Sequence, residues 1–427
     1  MDSTLTQRPR ARPAPDSAPV ARASLDFRWE REIGSVAKAW AECLGEDNVL
    51  RSYALQQAAE ASRLDDVELH YLVGEDAQGV ACVVTCFSFK VSLVSVASPK
   101  LQRLVGWVRK LFPKFLHVRL FTVGSPISTC GDLLGLKAGT DAARWNPDKI
   151  SRLFDEIIRK AGSIGIKFIL VKELEAPLAD LLRRSLPRFV FVESLPTTYL
   201  DLAPREQGGY LGSIRSRYRN KLKKRKSIGA QNHLTWEVAA TCRGYEEDIH
   251  RLYLQVLEKS PFVFERLNKD FFTQVDRTLG ENSFFLLGFR LTDGVKRLVA
   301  CELIVCDRTT MHPLYSGFDY WVKRDSSLYF NAFYAVIEEA ERRGFSRVHL
   351  GQTAYEVKAE LGATCTPLFI GIHHTNRLFQ RALWMGRRWL VPPSSFPLRD
   401  VFATPPDGGS RPGRPALGSA GERADCI

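Results

Sequence analysis

Apolar and polar residues follow two different periods along the chain. Short runs rich in β-branched and aromatic residues, typical of buried strands, are VELHYLV from Val67, VACVVTCFSF from Val80, FILV from Phe168, SFFLLGF from Ser283 and LVACELIVC from Leu298. Between these runs, apolar residues recur at helical spacing in RLFDEIIRKAG from Arg152 and in LYFNAFYAVIEEAERRG from Leu328. This alternation of strand and helix patterns predicts a mixed α/β fold.

The length of the chain and an internal echo both indicate two units. One hydrophobic core stops growing near roughly 250 to 300 residues, and this chain has 427. Four helix-and-turn positions recur at a constant offset, and the matching sets are Ile157, Ile158, Ala161 and Gly165, and Val336, Ile337, Ala340 and Gly344. Each set leads through a glycine into a short strand pattern. The echo favours a duplicated unit, and the alternative is two ordinary helix-to-strand units.

Composition shifts suggest where the units begin and end. Both termini are rich in Pro, Arg, Gly and Ser and have little apolar surface to bury, so we expect them to be disordered. The predicted organisation is a disordered tail at 1–24, a first domain at 25–205, a basic crossing helix at 206–230, a second domain at 231–392 and a disordered tail at 393–427.

Charge and cysteine usage narrow the class of protein. The net charge of +12 attracts phosphates, nucleic acid or anionic lipid, although its sign does not choose among them. The nine cysteines form no CxxC pair with matching histidines, so we expect reduced thiols in the cytoplasm and no metal. No secretory signal and no apolar run of about 18 to 20 residues is present, so we expect no membrane span.

Two segments carry concentrated charge. The stretch IRSRYRNKLKKRKSIG from Ile214 predicts a helix that is either a solvated linker or a surface for phosphates and RNA. The stretch KLQRLVGWVRKLF from Lys100 places apolar residues on one helical face and basic residues on the other. This amphipathic pattern fits either a helix whose apolar face packs on the protein's own core or a helix that lies on an anionic membrane.

Familiar catalytic motifs are missing from the sequence. The first candidate binding site is the connection between a strand pattern and a long helix in the second half of the chain. The sequence has no P-loop, no GxGxxG after a strand, no GxSxG and no HExxH. A strand pattern from Thr310 is followed by Lys323, Arg324, Asp325, Ser326 and Ser327, and then by the long helix from Leu328. A helix N-terminus beside basic residues can bind a pyrophosphate, whereas the alternative is a plain capped surface helix.

A second group of polar residues follows the next strand pattern, in HLGQTAYEVKAELGATCTPL from His349. Ligands collect at strand ends in open α/β sheets. Lys358 could hold a phosphate or a developing oxyanion, Tyr355 could donate a proton or stack, and Gln352 could orient an amide. The alternative is structural, with Lys358 as a solvated helix charge and Tyr355 at the edge of a core.

These segments resemble a known family. YSGFDY from Tyr315, the helix unit SSLYFNAFYAVIEEAERRGFSRVHLGQT and YEVKAELGA from Tyr355 resemble the GNAT-type acyltransferases of the FemAB and BioF2-like group. The resemblance extends to VESLPTTYLDL and the basic stretch, and weakens over the first 150 residues. It implies two tandem GNAT-like domains, each a twisted mixed sheet flanked by helices, with the donor site in the second domain and a supporting or acceptor-binding role for the first.

The resemblance also implies an activity, the transfer of an acyl or aminoacyl group from a thioester or an aminoacyl-tRNA to an amine. Tyr355 and Lys358 match the family's Tyr-and-Lys element. The donor's phosphates would lie on the loop and helix after the central strand, at Lys323, Arg324, Ser326, Ser327 and Leu328. The typical Gly-x-Gly turn is absent there, and this departure from the family pattern counts against coenzyme A as the donor.

The expected function is therefore N-acyl transfer from acyl-CoA, such as acetyl-CoA, or from an acyl-carrier protein to a small-molecule or peptidyl amine. The alternatives are aminoacyl-tRNA-dependent transfer, and a non-enzymatic protein that binds a membrane surface or RNA. The base that removes the amine's proton could be Asp319, Glu302 or a water chain, because the sequence does not rank them. Cys301 and Cys306 lie in an apolar strand pattern and are expected to be core thiols.

Overall fold

Two mixed sheets, each of seven strands, form the framework of the protein. The computed structural model describes residues 25–92, 117–127, 134–137, 145–260, 266–322, 327–391 and 396–403. The strands are β1 Asp26–Glu30, β2 Glu68–Asp76, β3 Gly79–Ser92, β4 His117–Val123, β5 Phe168–Leu174, β6 Val190–Glu193, β7 Thr197–Asp201, β8 Leu234–Ala239, β9 Ser283–Thr292, β10 Val295–Cys306, β11 Thr310–Phe318, β12 Arg347–Gly351, β13 Thr364–Thr366 and β14 Phe369–His374.

Helices flank both sheets, which confirms the predicted mixed α/β class. The helices are α1 Ala37–Cys43, α2 Tyr53–Ala61, α3 Pro147–Ser163, α4 Ala176–Ser185, α5 Gly209–Ser213, α6 Ser216–Gln231, α7 Glu246–Lys259, α8 Lys269–Leu279, α9 Leu328–Arg343, α10 Tyr355–Glu360 and α11 Arg377–Met385. Short 3₁₀ turns lie at Ile33–Val36, Val49–Arg51, Arg205–Gln207, Gly280–Asn282 and Arg387–Trp389.

The two halves repeat one motif, a helix that crosses between parallel strands. In the first sheet α3 connects β4 to its parallel neighbour β5, and in the second sheet α9 connects β11 to β12. Each helix is followed by a glycine with a left-handed backbone, Gly165 at φ 75° and Gly344 at φ 83°, a conformation that favours glycine. The echo seen in the sequence therefore marks equivalent positions in the two halves.

The sheets exchange one strand each. The strand order is β1-β2-β3-β4-β5-β14-β6 in the first sheet and β13-β7-β12-β11-β10-β9-β8 in the second. Strand β7 lies in the range predicted for the first domain and β14 in the range predicted for the second, yet each pairs in the other sheet. The predicted bounds do not coincide with sheet membership, and as limits of independently folding units they stay a prediction.

A shared apolar core joins the two halves. Leu55 and Ala58 of α2 belong to the same buried cluster as Phe271 and Val275 of α8. The Asn268 side-chain amide, at the start of α8, donates a 2.7 Å hydrogen bond to the Ser62 carbonyl oxygen, just after the end of α2. Burial of this apolar surface stabilises the contact.

The cysteines predicted to be core thiols are buried. Cys301 belongs to the cluster shared by the two halves, and Cys306 to the cluster under α9. Burial raises the pKa of the Cys306 thiol to about 12, and burial also raises the pKa of Cys301. A thiol held in its protonated form is a poor nucleophile, so the prediction for both residues is confirmed.

Among the described helices, none combines the length and the apolar character that crossing a bilayer demands. The amphipathic stretch predicted from Lys100 lies outside the described residues. Its two alternatives therefore stay predictions.

Candidate functional site

The parallel strands β11 and β12 separate soon after they meet. Their paired register consists of Thr310 with Arg347 and Met311 with Val348, although β11 continues to Phe318. The edge of β11 beyond Met311 is therefore not occupied by β12. An exposed strand edge offers main-chain groups to which an extended ligand can bind.

A strained turn lies between the end of β12 and the next helix. Gly351, Thr353 and Ala354 all have positive φ angles, of 68°, 62° and 50°. Left-handed backbone is uncommon for residues other than glycine, and such strain often accompanies functional sites. The turn leads directly into α10, which carries Lys358.

Lys358 is a buried lysine, with only 2% of its surface exposed. Its Nζ donates a 2.6 Å hydrogen bond to the main-chain oxygen of Gln352. Burial lowers the pKa of Lys358 to about 7, while the carboxylate of Glu302 acts to raise it. A lysine with this pKa can lose and regain a proton near neutral pH, as a general base or acid requires.

Glu302 is the second buried ionisable group of the site. It lies on β10, is 1% exposed, and its Oε2 accepts a 2.6 Å bond from the Ser316 hydroxyl on β11. Its other oxygen, Oε1, has no hydrogen-bond partner among the described residues. Burial raises the pKa of Glu302 to about 8, against the lowering effects of Ser316 and Lys358.

The basic helix α6 holds α10 in place. Glu360, at the end of α10, accepts ion pairs from Lys221 at 2.6 Å and from Arg225 at 2.8 Å. Lys226 pairs with Glu338 of α9. The sequence left open whether these cations are solvated or bind anions, and the structure shows that several pair with carboxylates of the same chain. Lys223 and Lys224 point outward and are exposed.

Gln352 and Tyr355 lie beside Lys358, and both bind one connecting segment. Gln352 Nε2 donates to the Leu195 oxygen at 2.8 Å, and the Tyr355 hydroxyl donates to the Pro196 oxygen at the same distance. Burial raises the pKa of Tyr355 to about 12. These bonds fix the connection from β6 to β7. The structure thus brings together three of the predicted catalytic residues, while their chemical roles stay predictions.

Asp319, the fourth predicted catalytic residue, lies just beyond the end of β11. Its Oδ1 accepts a 2.9 Å bond from the Trp321 amide, and its own amide donates to the Val299 oxygen at 2.8 Å. In this arrangement Asp319 stabilises the turn that leaves the strand.

The predicted donor junction is only partly described. Lys323, Arg324 and Ser326 lie outside the described residues. Ser327 precedes α9 with a left-handed backbone, and its side chain forms no capping hydrogen bond. The Leu328 side chain is buried in the core with Val299 and Phe318, which leaves its main chain as the group that could meet a donor.

A buried hydrogen-bonded chain beside the site was not predicted. Asp307 Oδ2 lies 2.9 Å from His312 Nε2, His312 Nδ1 lies 3.1 Å from His349 Nδ1, and His349 Nε2 lies 2.6 Å from the Thr197 hydroxyl. Burial, followed by the influence of His312 and Lys358, holds the pKa of His349 well below its usual value. The signal in the sequence was one histidine in each of two apolar strand patterns, which is too common to be informative.

Comparison with known proteins supports the family resemblance. Residues 213–359 match the family described as "Acetyltransferase (GNAT) domain". The crystal structure of FemX superimposes with a TM-score of 0.51 at 10% identity, covering 83% of this chain and 99% of that chain. No curated protein matches the chain in sequence.

Two further solved structures have lower scores. One is a tandem GNAT protein from the clavulanic acid biosynthesis pathway, with a TM-score of 0.48, 9% identity, and coverage of 83% of this chain and 99% of that chain. The other is the C-terminal domain of a putative lysylphosphatidylglycerol synthetase from Agrobacterium fabrum, with a TM-score of 0.47, 11% identity, and coverage of 84% and 98%.

The family match and the fold define the class of this protein. Residues 213–359 match a GNAT acetyltransferase domain, and this match indicates an enzyme of the acyltransferase class. The fold of its described residues is similar to that of FemX, as the sequence resemblance to the FemAB-like tandem GNAT group implies. The BioF2-like part of the resemblance stays a prediction.

Proposed function

We propose that the protein transfers an acyl group from a thioester donor, an acyl-CoA or an acyl-carrier protein, to an amine. The observation that carries this proposal is the gap between β11 and β12, beside which the buried pair Lys358 and Glu302 lies. The open edge of β11 suits an extended donor chain. GNAT domains generally use acyl-CoA, which supports the thioester as the principal donor.

The reaction needs alignment and one proton acceptor. The amine nitrogen attacks the thioester carbonyl, a C–N bond forms, the C–S bond breaks, and the amine's proton ends on the departing thiol. Lys358 in its neutral form accepts that proton and returns it to the thiolate. Holding amine and carbonyl in line can lower the barrier by about 7 kcal/mol or more, so no covalent enzyme intermediate is required.

The donor's phosphates are assigned to the start of α9. Lys323, Arg324, Ser326, Ser327 and the main chain of Leu328 remain the proposed contacts, since a helix N-terminus next to cations favours a pyrophosphate. The acceptor is a small-molecule or peptidyl amine. A cytoplasmic location, where acyl thioesters are made and thiols such as Cys301 stay reduced, is part of the same proposal.

A thermal-shift series identifies the donor class, because a ligand that binds only the native state raises Tm. The purified protein and Lys358→Met are each heated with coenzyme A, acetyl-CoA, longer acyl-CoA esters, and total tRNA. We expect acyl-CoA to raise the Tm of the wild type, and Lys358→Met to bind it while losing transfer. No shift with any CoA species, together with no transfer from acyl-CoA, would contradict acyl-CoA as the donor and leave an acyl-carrier protein or a non-enzymatic role.

Aminoacyl-tRNA is the second candidate donor, kept because of the resemblance to FemAB proteins. The exposed Lys223 and Lys224 of α6 are the cations that could meet its phosphates. Binding of tRNA that weakens steeply with salt and is lost in Lys223→Ala/Lys224→Ala would favour this donor. The altered lysines lie away from the ion pairs of Glu360, so the variant leaves α10 in place.

A further inference from the structure

Helix α11 presents a cluster of large apolar side chains to solvent. Leu378 is 74% exposed, Phe379 63%, Trp384 60% and Met385 71%. No residue of the helix is buried. Single exposed apolar residues are ordinary, whereas four on one short helix indicate a surface that binds something.

The helix is held firmly in this orientation. The Asn376 side chain accepts from the Leu378 amide at 2.9 Å and so caps its first turn. Gln380 accepts from the His374 amide at 2.8 Å and donates to the Arg188 oxygen at 2.7 Å. Leu383 packs against the core beneath β14. Since Gln380 and Leu383 face inward, the exposed face is fixed by the fold.

The exposed face combines an apolar strip with positive charge. At about 100° per residue, Met385, Leu378 and Ala382 fall within about 60° of one another around the helix axis, next to Arg377 and Arg381. Residues 375–391 contain four arginines and no aspartate or glutamate, and the arginines are Arg377, Arg381, Arg387 and Arg388. This segment therefore combines apolar side chains with formal charges that are all positive.

An aromatic and a basic residue also contact each other at the C-terminal end of α11. The Arg387 guanidinium lies 4.4 Å from the centre of the Trp384 ring, and its Nη1 donates to the Trp384 oxygen at 2.9 Å. A tryptophan beside an arginine suits the boundary between water and acyl chains, because the ring enters the lipid and the cation meets the headgroups.

We propose that α11 is a docking surface for an anionic lipid bilayer. The helix lies flat in the interface, with Leu378 and Met385 entering the acyl region, Trp384 at the boundary, and the arginines binding lipid phosphates. Charge complementarity selects this occupant, since an uncharged apolar partner would leave four cations without counterions. Docking would hold the enzyme at the membrane surface, with α11 as a peripheral contact.

Vesicle flotation with the full chain tests the proposal. Vesicles of phosphatidylcholine alone are compared with vesicles that also contain phosphatidylglycerol, at low and high salt. The test variant is Leu378→Glu/Met385→Glu, and the matched control is Leu291→Glu/Val295→Glu, which adds the same charge to exposed apolar positions of the β9–β10 hairpin. Thermal unfolding of each variant verifies folding.

We expect the wild type and the control to float with anionic vesicles, and the test variant to bind about tenfold or more weakly. Absence of flotation, or flotation that the test variant leaves unchanged, overturns the proposal. If loss of flotation follows Leu104→Glu/Val108→Glu instead, the bilayer contact belongs to that segment and not to α11. A wild-type dimer that the test variant converts to monomer would show that α11 contacts a second copy.

Discussion

The parallel strand pairs of the two sheets differ in how far they stay together. In the first sheet β4 and β5 pair over four positions, from Leu120 with Phe168 to Val123 with Val171. In the second sheet β11 and β12 pair over two, Thr310 with Arg347 and Met311 with Val348. The same motif of strand, helix and strand is thus closed in one half and open in the other.

Each pair also has a buried lysine near its end, with different surroundings. Lys172 of β5 donates to the Ser125 oxygen at 3.0 Å and lies 3.4 Å from the Glu173 carboxylate. Lys358 follows β12 on a strained turn and interacts with Glu302 from another strand. The second half therefore places a buried lysine beside an open strand edge, as its proposed role in proton transfer requires, whereas the first half holds its lysine in an internal ion pair.

The largest expected effect is on activity, when the buried lysine of each half is replaced in turn. Lys358→Met should lower kcat/KM for acyl transfer by about 100-fold or more, because general acid–base groups contribute on the order of 10² to 10⁴ in rate. Lys172→Met, the matched change in the first half, should leave kcat/KM within about fivefold once activity is corrected for folded protein. Equal losses in both variants would contradict the assignment of the chemistry to the second half.

The next effect concerns the pH dependence of stability. The folded pKa of Glu302 is raised to about 8, so this carboxyl stabilises the fold below its usual pKa and loses that contribution as pH rises toward 8. Glu302→Gln should be close to the wild type near pH 5 and exceed it by roughly 3 kcal/mol near pH 8. Urea unfolding at both pH values measures this, and Glu237→Gln, in an exposed ion pair with Lys296, is the control.

A smaller effect is expected in the pH profile of the reaction. Lys358 must be neutral to accept a proton, and its pKa is about 7. Activity of the wild type should therefore fall about tenfold per pH unit below that value and level off above it. A kcat/KM profile recorded from pH 5.5 to 9 tests this, and an activity that is flat across pH 7 would exclude Lys358 as the base.

The smallest effect concerns the connecting segment beside the site. Tyr355→Phe removes the hydroxyl that binds the Pro196 oxygen at 2.8 Å, which should cost about 1 kcal/mol of stability. We expect kcat/KM to change by less than about threefold if Tyr355 is structural. A loss comparable to that of Lys358→Met would instead give Tyr355 the catalytic role predicted from the family resemblance.

The secondary structure and the repeat were predictable because they depend on neighbours along the chain. The apolar period of the helix from Leu328, the glycine at 344 and the strand from Arg347 all appear in the sequence as they do in the fold. The grouping of Gln352, Tyr355 and Lys358 was predictable for the same reason, since seven residues at one strand end cannot spread far.

The exchange of β7 and β14 between the sheets could not be read from the chain. These strands are five and six residues long, and their apolar patterns fit any open sheet edge equally well. Which edge they join depends on the position of the other half. The contact of Glu360 with Lys221 and Arg225 was unpredictable in the same way, because 139 residues separate Lys221 from Glu360 along the chain.

The sequence by itself determined the mixed α/β class, the two repeated helix-to-strand units and the segment that contains the site, since periodicity and turn residues act over short distances. Only the tertiary structure decided that Lys358 is buried near Glu302, that β11 and β12 separate, and that α11 faces solvent. The physical reason is that burial, and with it the pKa of a lysine or the exposure of a leucine, is set by which distant elements pack together.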